Sequence, residues 1–329
     1  MIWHWSDTLN IFYSFPIAFL SIIFNILLIY IVAKYSPMAM KSYSILIISE
    51  AIYDIFVAFC LSMVIPRFRN SGFSIVIIFH GPCQLFFSDR YIQSNFCLFF
   101  ECGAIYAIFG IQLIVFYSLY FRQQSVLDPF KVFRRSVILT YVLILSAFNA
   151  IMTVVTFVQN LYPIEVSDAV AEKLKPGIVK SGWPFGTVVD MFQISQIPPN
   201  ALTNILNPTV VVYGILCRYR VNKAVRNDTH MSEQMKHLHR GLANVLFAQV
   251  FSSAVAFFTC VLYMVSLYYD VEQSTLSENT MFFPAILMLL VSPIVTIYFV
   301  RPYRNKIIEI FHFPFLVNSA VNSVDITGA

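Results

Sequence analysis

The residues with chemistry to offer are few, and most of them stand in apolar surroundings. Within residues 81–122 one carboxylate, Glu101, lies inside a long hydrophobic run. One arginine, Arg122, closes that run, and two cysteines, Cys83 and Cys97, stand at its edge. Glu101 falls one helical turn beyond Cys97, so it either receives a cationic ligand group or meets water in a vestibule. Glu50 and Asp54 are also one turn apart and share a helical face. A carboxylate held in a bilayer costs roughly 2.5–3.5 kcal/mol on insertion scales, so it normally faces the interior of a bundle with a partner. Asn25, at similar depth, is the expected partner of Asp54. These three residues form either a cation or proton site that biases helix packing, or a hydrogen-bonded polar core with Glu50 within reach of water.

Cys83 and Cys97 fall on one side of the same helix start, where a bridge would close a loop of about 15 residues and contribute roughly 3 kcal/mol. Two free thiols are the alternative, and residues 159–198 supply no other cysteine. Cys60, Cys102 and Cys260 lie in apolar runs, where a buried thiol is usually inert packing. The histidines His4, His80, His230, His237, His239 and His312 all lie outside the deep apolar runs, which speaks against a membrane zinc hydrolase. The last apolar run has no lysine for a retinal Schiff base, and no phosphate loop or serine elbow is present. No enzymatic activity, metal or cofactor is expected.

The elements that hold these residues follow from composition. The chain of 329 residues is 58% hydrophobic and 12% charged, about half the charge that a water-exposed surface carries. Seven apolar runs are long enough to cross a bilayer, at about 11–33, 45–66, 96–121, 137–158, 199–217, 242–268 and 282–300. The fold expected is an all-α membrane protein: one seven-helix bundle over residues 1–312 and a short cytoplasmic tail over 313–329. No internal repeat is visible, which disfavours a transporter built from two halves.

Lysine and arginine favour cytoplasmic loops. Fifteen of the 21 fall on one side, in the segments holding Lys34, Arg122, Arg218 to Arg240, and Arg301 to Lys306. The N-terminus is therefore expected outside and the C-terminus inside, with no cleaved signal peptide. Arg122 then meets the cytoplasm beside Arg218, Arg220, Lys223 and Arg240, a basic surface suited to anionic lipid and to a cytoplasmic transducer.

Gly81-Pro82-Cys83, the later Cys97 and Tyr120-Phe121-Arg122 resemble the nematode serpentine receptors of class delta. So do Ser36-Pro37 with Lys41-x-Tyr43, Met231-Ser232 with His237 and His239, and Pro302-Tyr303-Arg304. The resemblance covers roughly residues 10–312. It implies a chemoreceptor of sensory neurons, similar to G-protein-coupled receptors, in the plasma membrane and its cilia. The partners so implied are membrane lipid, a small odorant-like ligand and a heterotrimeric G protein, with no nucleic acid. Glu101, Tyr106, Phe257 and Phe283, with Phe99, Phe100 and Phe258, are expected to line an outer pocket for a small apolar molecule. Arg122, Arg218, Arg220, Lys223 and Arg240 are expected to face the G protein. Two departures stand out: Phe121, not an acid, precedes Arg122, and no proline follows Gln249 in its run. The competing class is a ligand-gated channel or transporter of the plasma membrane, and a seven-helix channel of inverted topology would put the N-terminus inside.

An epitope before Trp3 is expected to stain on intact cells, while Asn227, in the one Asn-x-Ser/Thr sequon, carries no glycan. Staining only after permeabilisation would reverse the topology.

Overall fold

A computed structural model describes residues 5–37, 40–71, 74–127, 134–174, 176–189, 205–227, 243–251 and 283–310, with isolated positions between them. The helices are α1 (Trp5–Tyr35), α2 (Lys41–Val64), α3 (Arg90–Leu127), α4 (Arg135–Gln159), α5 (Ile164–Leu174), α6 (Asn207–Asn227), α7 (Phe283–Phe299) and α8 (Arg301–Ile310). Three strands, β1 (Pro66–Ser71), β2 (Ser74–Phe79) and β3 (Phe185–Val188), form one antiparallel sheet in the order β1-β2-β3.

Among the described residues α1 to α4 are each long and apolar enough to cross a bilayer, and α7 and α8, bent by 95° at their junction, pass the same measure only as a pair. The run expected at 199–217 is helical from Asn207 and continues to Asn227. The run expected at 242–268 is helical over 243–251, and much of its remainder lies outside the described residues. Among the described residues α3 is the longest helix, 38 residues or about 57 Å at 1.5 Å per residue, well beyond the thickness of the hydrocarbon.

The sheet corrects the all-α expectation. Residues 74–79 read Ser-Ile-Val-Ile-Ile-Phe, a short β-branched run that suits a strand covered on both faces. Successive side chains alternate sides, and each side has its own cover. Ile75, Ile77 and Phe79 pack with Val64, Cys83, Cys97 and Leu98 at the head of the bundle. Val76 and Ile78 pack under Ala171 and Leu174 of α5. The sheet is therefore the middle layer between the bundle and α5.

Helix α2 stops where Pro66 restricts the residue before it. Ile65 takes φ 41°, a left-handed conformation that costs a branched residue about 1–2 kcal/mol, and its amide caps the helix on the Leu61 carbonyl. The returning chain completes the cap: Gly81 donates its amide to the Val64 carbonyl at 2.9 Å. Cys83 and Cys97 are bridged and fully buried, which fixes the turn at Pro82–Leu85 to α3. Of the two readings left open by the sequence, the structure has the disulfide.

At the opposite end α7 gives way to α8 at Val300, with Pro302 in the first turn of α8, where its missing amide hydrogen is harmless. Tyr303 is fully buried, and its hydroxyl shares a 2.8 Å hydrogen bond with Ser36. Tyr303 joins Leu28, Tyr43, Leu46 and Phe121 in the core that holds α1, α2, α3 and α8 together.

A Cβ added at Gly81 would stand 2.1 Å from the Met63 carbonyl oxygen, a backbone atom that cannot swing away. Gly81→Ala is expected to lower thermal stability by about 1–3 kcal/mol or more and to reduce surface delivery. Gly103→Ala, whose nearest contact would be 3.5 Å from the Phe56 ring, is the matched control and should be almost silent. Equal melting of the two variants would refute the tight fit at Gly81.

Candidate ligand and coupling sites

Helix α3 carries the two outstanding charges at opposite ends, Glu101 toward the sheet and Arg122 toward α6. Glu101 is 1% exposed, and neither carboxylate oxygen has a hydrogen-bond partner. The thiols of Cys60 on α2 and Cys102 on α3 lie within electrostatic reach of it. The seven apolar runs named above contain no lysine, arginine or histidine at all. No residue of those runs is therefore available to neutralise Glu101.

The aromatic residues expected around it take separate neighbours. Tyr106 is buried, and its hydroxyl lies 2.8 Å from that of Thr156 on α4. Phe283 stacks edge-on against Tyr13 of α1, with ring centroids 5.0 Å apart. Phe99 and Phe100 join a chain of ring contacts with Phe59, Phe96 and Phe157 on the outer surfaces of α2, α3 and α4. Phe258 is exposed, and Phe257 lies outside the described residues. The described aromatic residues thus do not close around Glu101 as one set.

The polar core is arranged differently from the expected Asn25–Asp54 pair, which does not form. Pro293 in α7 has no amide hydrogen, so the Leu289 carbonyl one turn earlier loses its helical donor. Ser21 donates to that carbonyl at 2.8 Å and Asn25 at 3.1 Å, both from α1. Asp54 is 2% exposed, and its Oδ2 accepts no hydrogen bond. Glu50 is buried rather than in reach of water. Its Oε1 accepts from the Gln249 amide at 2.6 Å and from the Ser292 hydroxyl at 3.1 Å. One carboxylate oxygen thereby joins α2, the helical residues 243–251 and α7. Neither Gln249 nor Ser292 was singled out as its partner from sequence, although both are polar residues inside apolar runs.

The basic set divides as well. Arg122 is 5% exposed, so it stands behind the surface rather than in it, and its Nε and Nη2 donate to nothing. It lines a crevice with Gly214, Cys217 and Arg218 of α6 and with Leu246. The Cys217 thiol donates to the Leu119 carbonyl at 3.4 Å, and the Arg218 guanidinium lies 3.9 Å from the centre of the Phe247 ring. Arg220 and Lys223 are exposed, and Arg240 lies outside the described residues.

A cluster that sequence reading missed ties the sheet to the rest. Arg67, one of the six basic residues outside the cytoplasmic set, is 2% exposed. It donates to both oxygens of Asp7 on α1 at 3.1 Å and to Glu278 at 2.7 Å. Arg69 lies 3.5 Å from Glu278, and His80 lies 3.6 Å from Asp7. The available signal was Arg67 placed between Pro66 and the apolar Phe68 at a strand start.

An apolar bundle with a disulfide-pinned sheet at one end and an arginine crevice at the other has the form of a serpentine membrane receptor. Residues 9–309 match the family described as serpentine type 7TM GPCR chemoreceptor Srd, and the chain belongs to that family. It is similar to Caenorhabditis elegans serpentine receptor class delta-3, with 26% identity over 88% of this chain and 83% of that relative. Class delta-2 is 27% identical over 93% of this chain and 83% of its own length, and class delta-19 is 26% identical over 95% and 88%.

Arg67→Met is expected to destabilise the protein, by up to about 3–5 kcal/mol, because it takes from two buried carboxylates the guanidinium they share. Adding Asp7→Asn and Glu278→Gln should restore much of the loss. Unfolding of purified protein in nanodiscs measures both, and an unchanged melting temperature in Arg67→Met would refute the cluster's role.

Proposed function

We propose that this protein is a chemosensory receptor that binds a small external ligand and signals to a cytoplasmic G protein. The sheet end faces outward and the Arg122 end inward, in the plasma membrane of sensory neurons and their cilia. Family membership over residues 9–309 is the observation that carries the reading. The build of α3 supports it, since one rigid helix runs from a buried carboxylate under the sheet to a buried arginine at the opposite end.

Signalling needs two arrangements of the bundle and a ligand that prefers one. The crevice at Arg122 supplies the element that changes. A Cβ at Gly214 would stand 2.5 Å from Val250, so α6 and residues 243–251 are in close contact here and keep Arg122 covered. Moving the two apart uncovers Arg122 and adds it to the exposed Arg220 and Lys223. The Glu50 bond to Gln249 is the restraint on that motion, and the ligand's preference for the open form must exceed it. Charges brought together in this way steer docking and contribute to its strength.

Arg122→Gln keeps length and hydrogen-bonding capacity while removing the charge. The variant is expected to reach the surface and bind ligand as the wild type does, yet lose most ligand-driven nucleotide exchange on a co-expressed G protein. Full exchange at normal surface level would acquit Arg122. Ligand-gated current in a membrane patch free of G protein would overturn the receptor reading in favour of a channel.

A further inference from the structure

The three carboxylates within the apolar runs are treated unequally. Glu50 receives two donors on one oxygen, and Asp54 lies one turn from it with only Oδ2 bare. Glu101 receives nothing on either oxygen, although it is as deeply buried as the Asp54 carboxyl. An ionised carboxylate in that position lacks both a counter-charge and donors, which is the costly way to bury a charge. Protonation does not repair this. A neutral acid still needs a donor for its carbonyl oxygen, and neither oxygen of Glu101 accepts a hydrogen bond. No lysine, arginine or histidine occurs in the apolar runs to do so after a helix movement. What the site lacks is a group that brings positive charge and several N–H donors together.

We infer that Glu101 is the counter-ion for a ligand with a cationic nitrogen head, an ammonium or amidinium, carried on an apolar body. This deepens the receptor reading above and rests on it for the ligand's approach from the sheet side. The apolar body follows from the surroundings: Val57, Leu61, Ala104 and Ala107 form the buried core of this part of α2 and α3. A purely apolar ligand, the expectation from aromatic content alone, would leave the carboxylate as bare as it is now.

The test uses the full chain in lipid nanodiscs and matched probes. Hexylamine, cyclohexylamine and benzylamine are compared with hexanol, cyclohexanol and benzyl alcohol for their effect on thermal unfolding, since a ligand of the folded state raises the melting temperature. At least one amine is expected to stabilise saturably where its alcohol does not. Glu101→Gln should weaken that amine by roughly 10- to 100-fold, the loss of a charge-assisted hydrogen bond. Without ligand the same variant should melt at or above the wild type, because no native hydrogen bond is lost.

The inference falls if no amine stabilises the wild type, or if amines and alcohols act alike. It falls equally if Glu101→Gln leaves the amine effect intact or melts lower than wild type without ligand. The wild-type comparison of amine with alcohol stands alone should the variant fail to fold. Amine binding through Glu101 with no nucleotide exchange on any G protein would keep the site and remove the receptor reading. Exchange driven by an uncharged odorant and untouched by Glu101→Gln would keep the receptor and remove the site.

Discussion

Pro293 deprives the Leu289 carbonyl of its helical donor, and in hydrocarbon no water is there to replace it. The fold meets this need from a distance of more than two hundred residues along the chain, with Ser21 and Asn25 donating from α1. The first helix is thereby fixed in rotation against α7, since a turn of either would leave the carbonyl bare. Three residues on from Leu289, Ser292 donates to Glu50 of α2, and Gln249 joins at the same oxygen. The contacts around one proline thus set the mutual register of α1, α2, α7 and residues 243–251.

Charge is handled by the same rule of local satisfaction. At the sheet end Arg67 is buried between Asp7 and Glu278, so positive and negative groups leave water together. Such a pair adds little net stability against an apolar replacement, but it is strict about who stands where. It fastens the start of α1 and Glu278 onto β1. At the opposite end Arg122 is buried with no carboxylate paired to it among the described residues, and Phe121 precedes it. Its Nε and Nη2 donate to nothing, which is a cost of that burial.

The sheet is not ornament on the loops. Its central strand is covered by the bundle on one face and by α5 on the other, and the Cys83–Cys97 bridge pins the turn that follows it to α3. Three elements that would otherwise be separate loops form one rigid layer over the α3 end that carries Glu101.

The sequence by itself determined the membrane class, the apolar runs, the family resemblance and the residues of interest, because hydrophobic length and charge placement are local properties. It also contained the strand signal in Ser-Ile-Val-Ile-Ile-Phe, which a search for long apolar runs passes over. Partners were another matter. Asn25 and Asp54 do not pair, because Asn25 donates instead to the Leu289 carbonyl that Pro293 leaves without its helical donor. Arg67 is a buried hub only because β1 carries it between Asp7 and Glu278, residues 60 and 211 positions away. Whether Glu101 had a partner was equally closed to the sequence, since hydrogen bonds between helices depend on which faces meet, and only packing in three dimensions decides that.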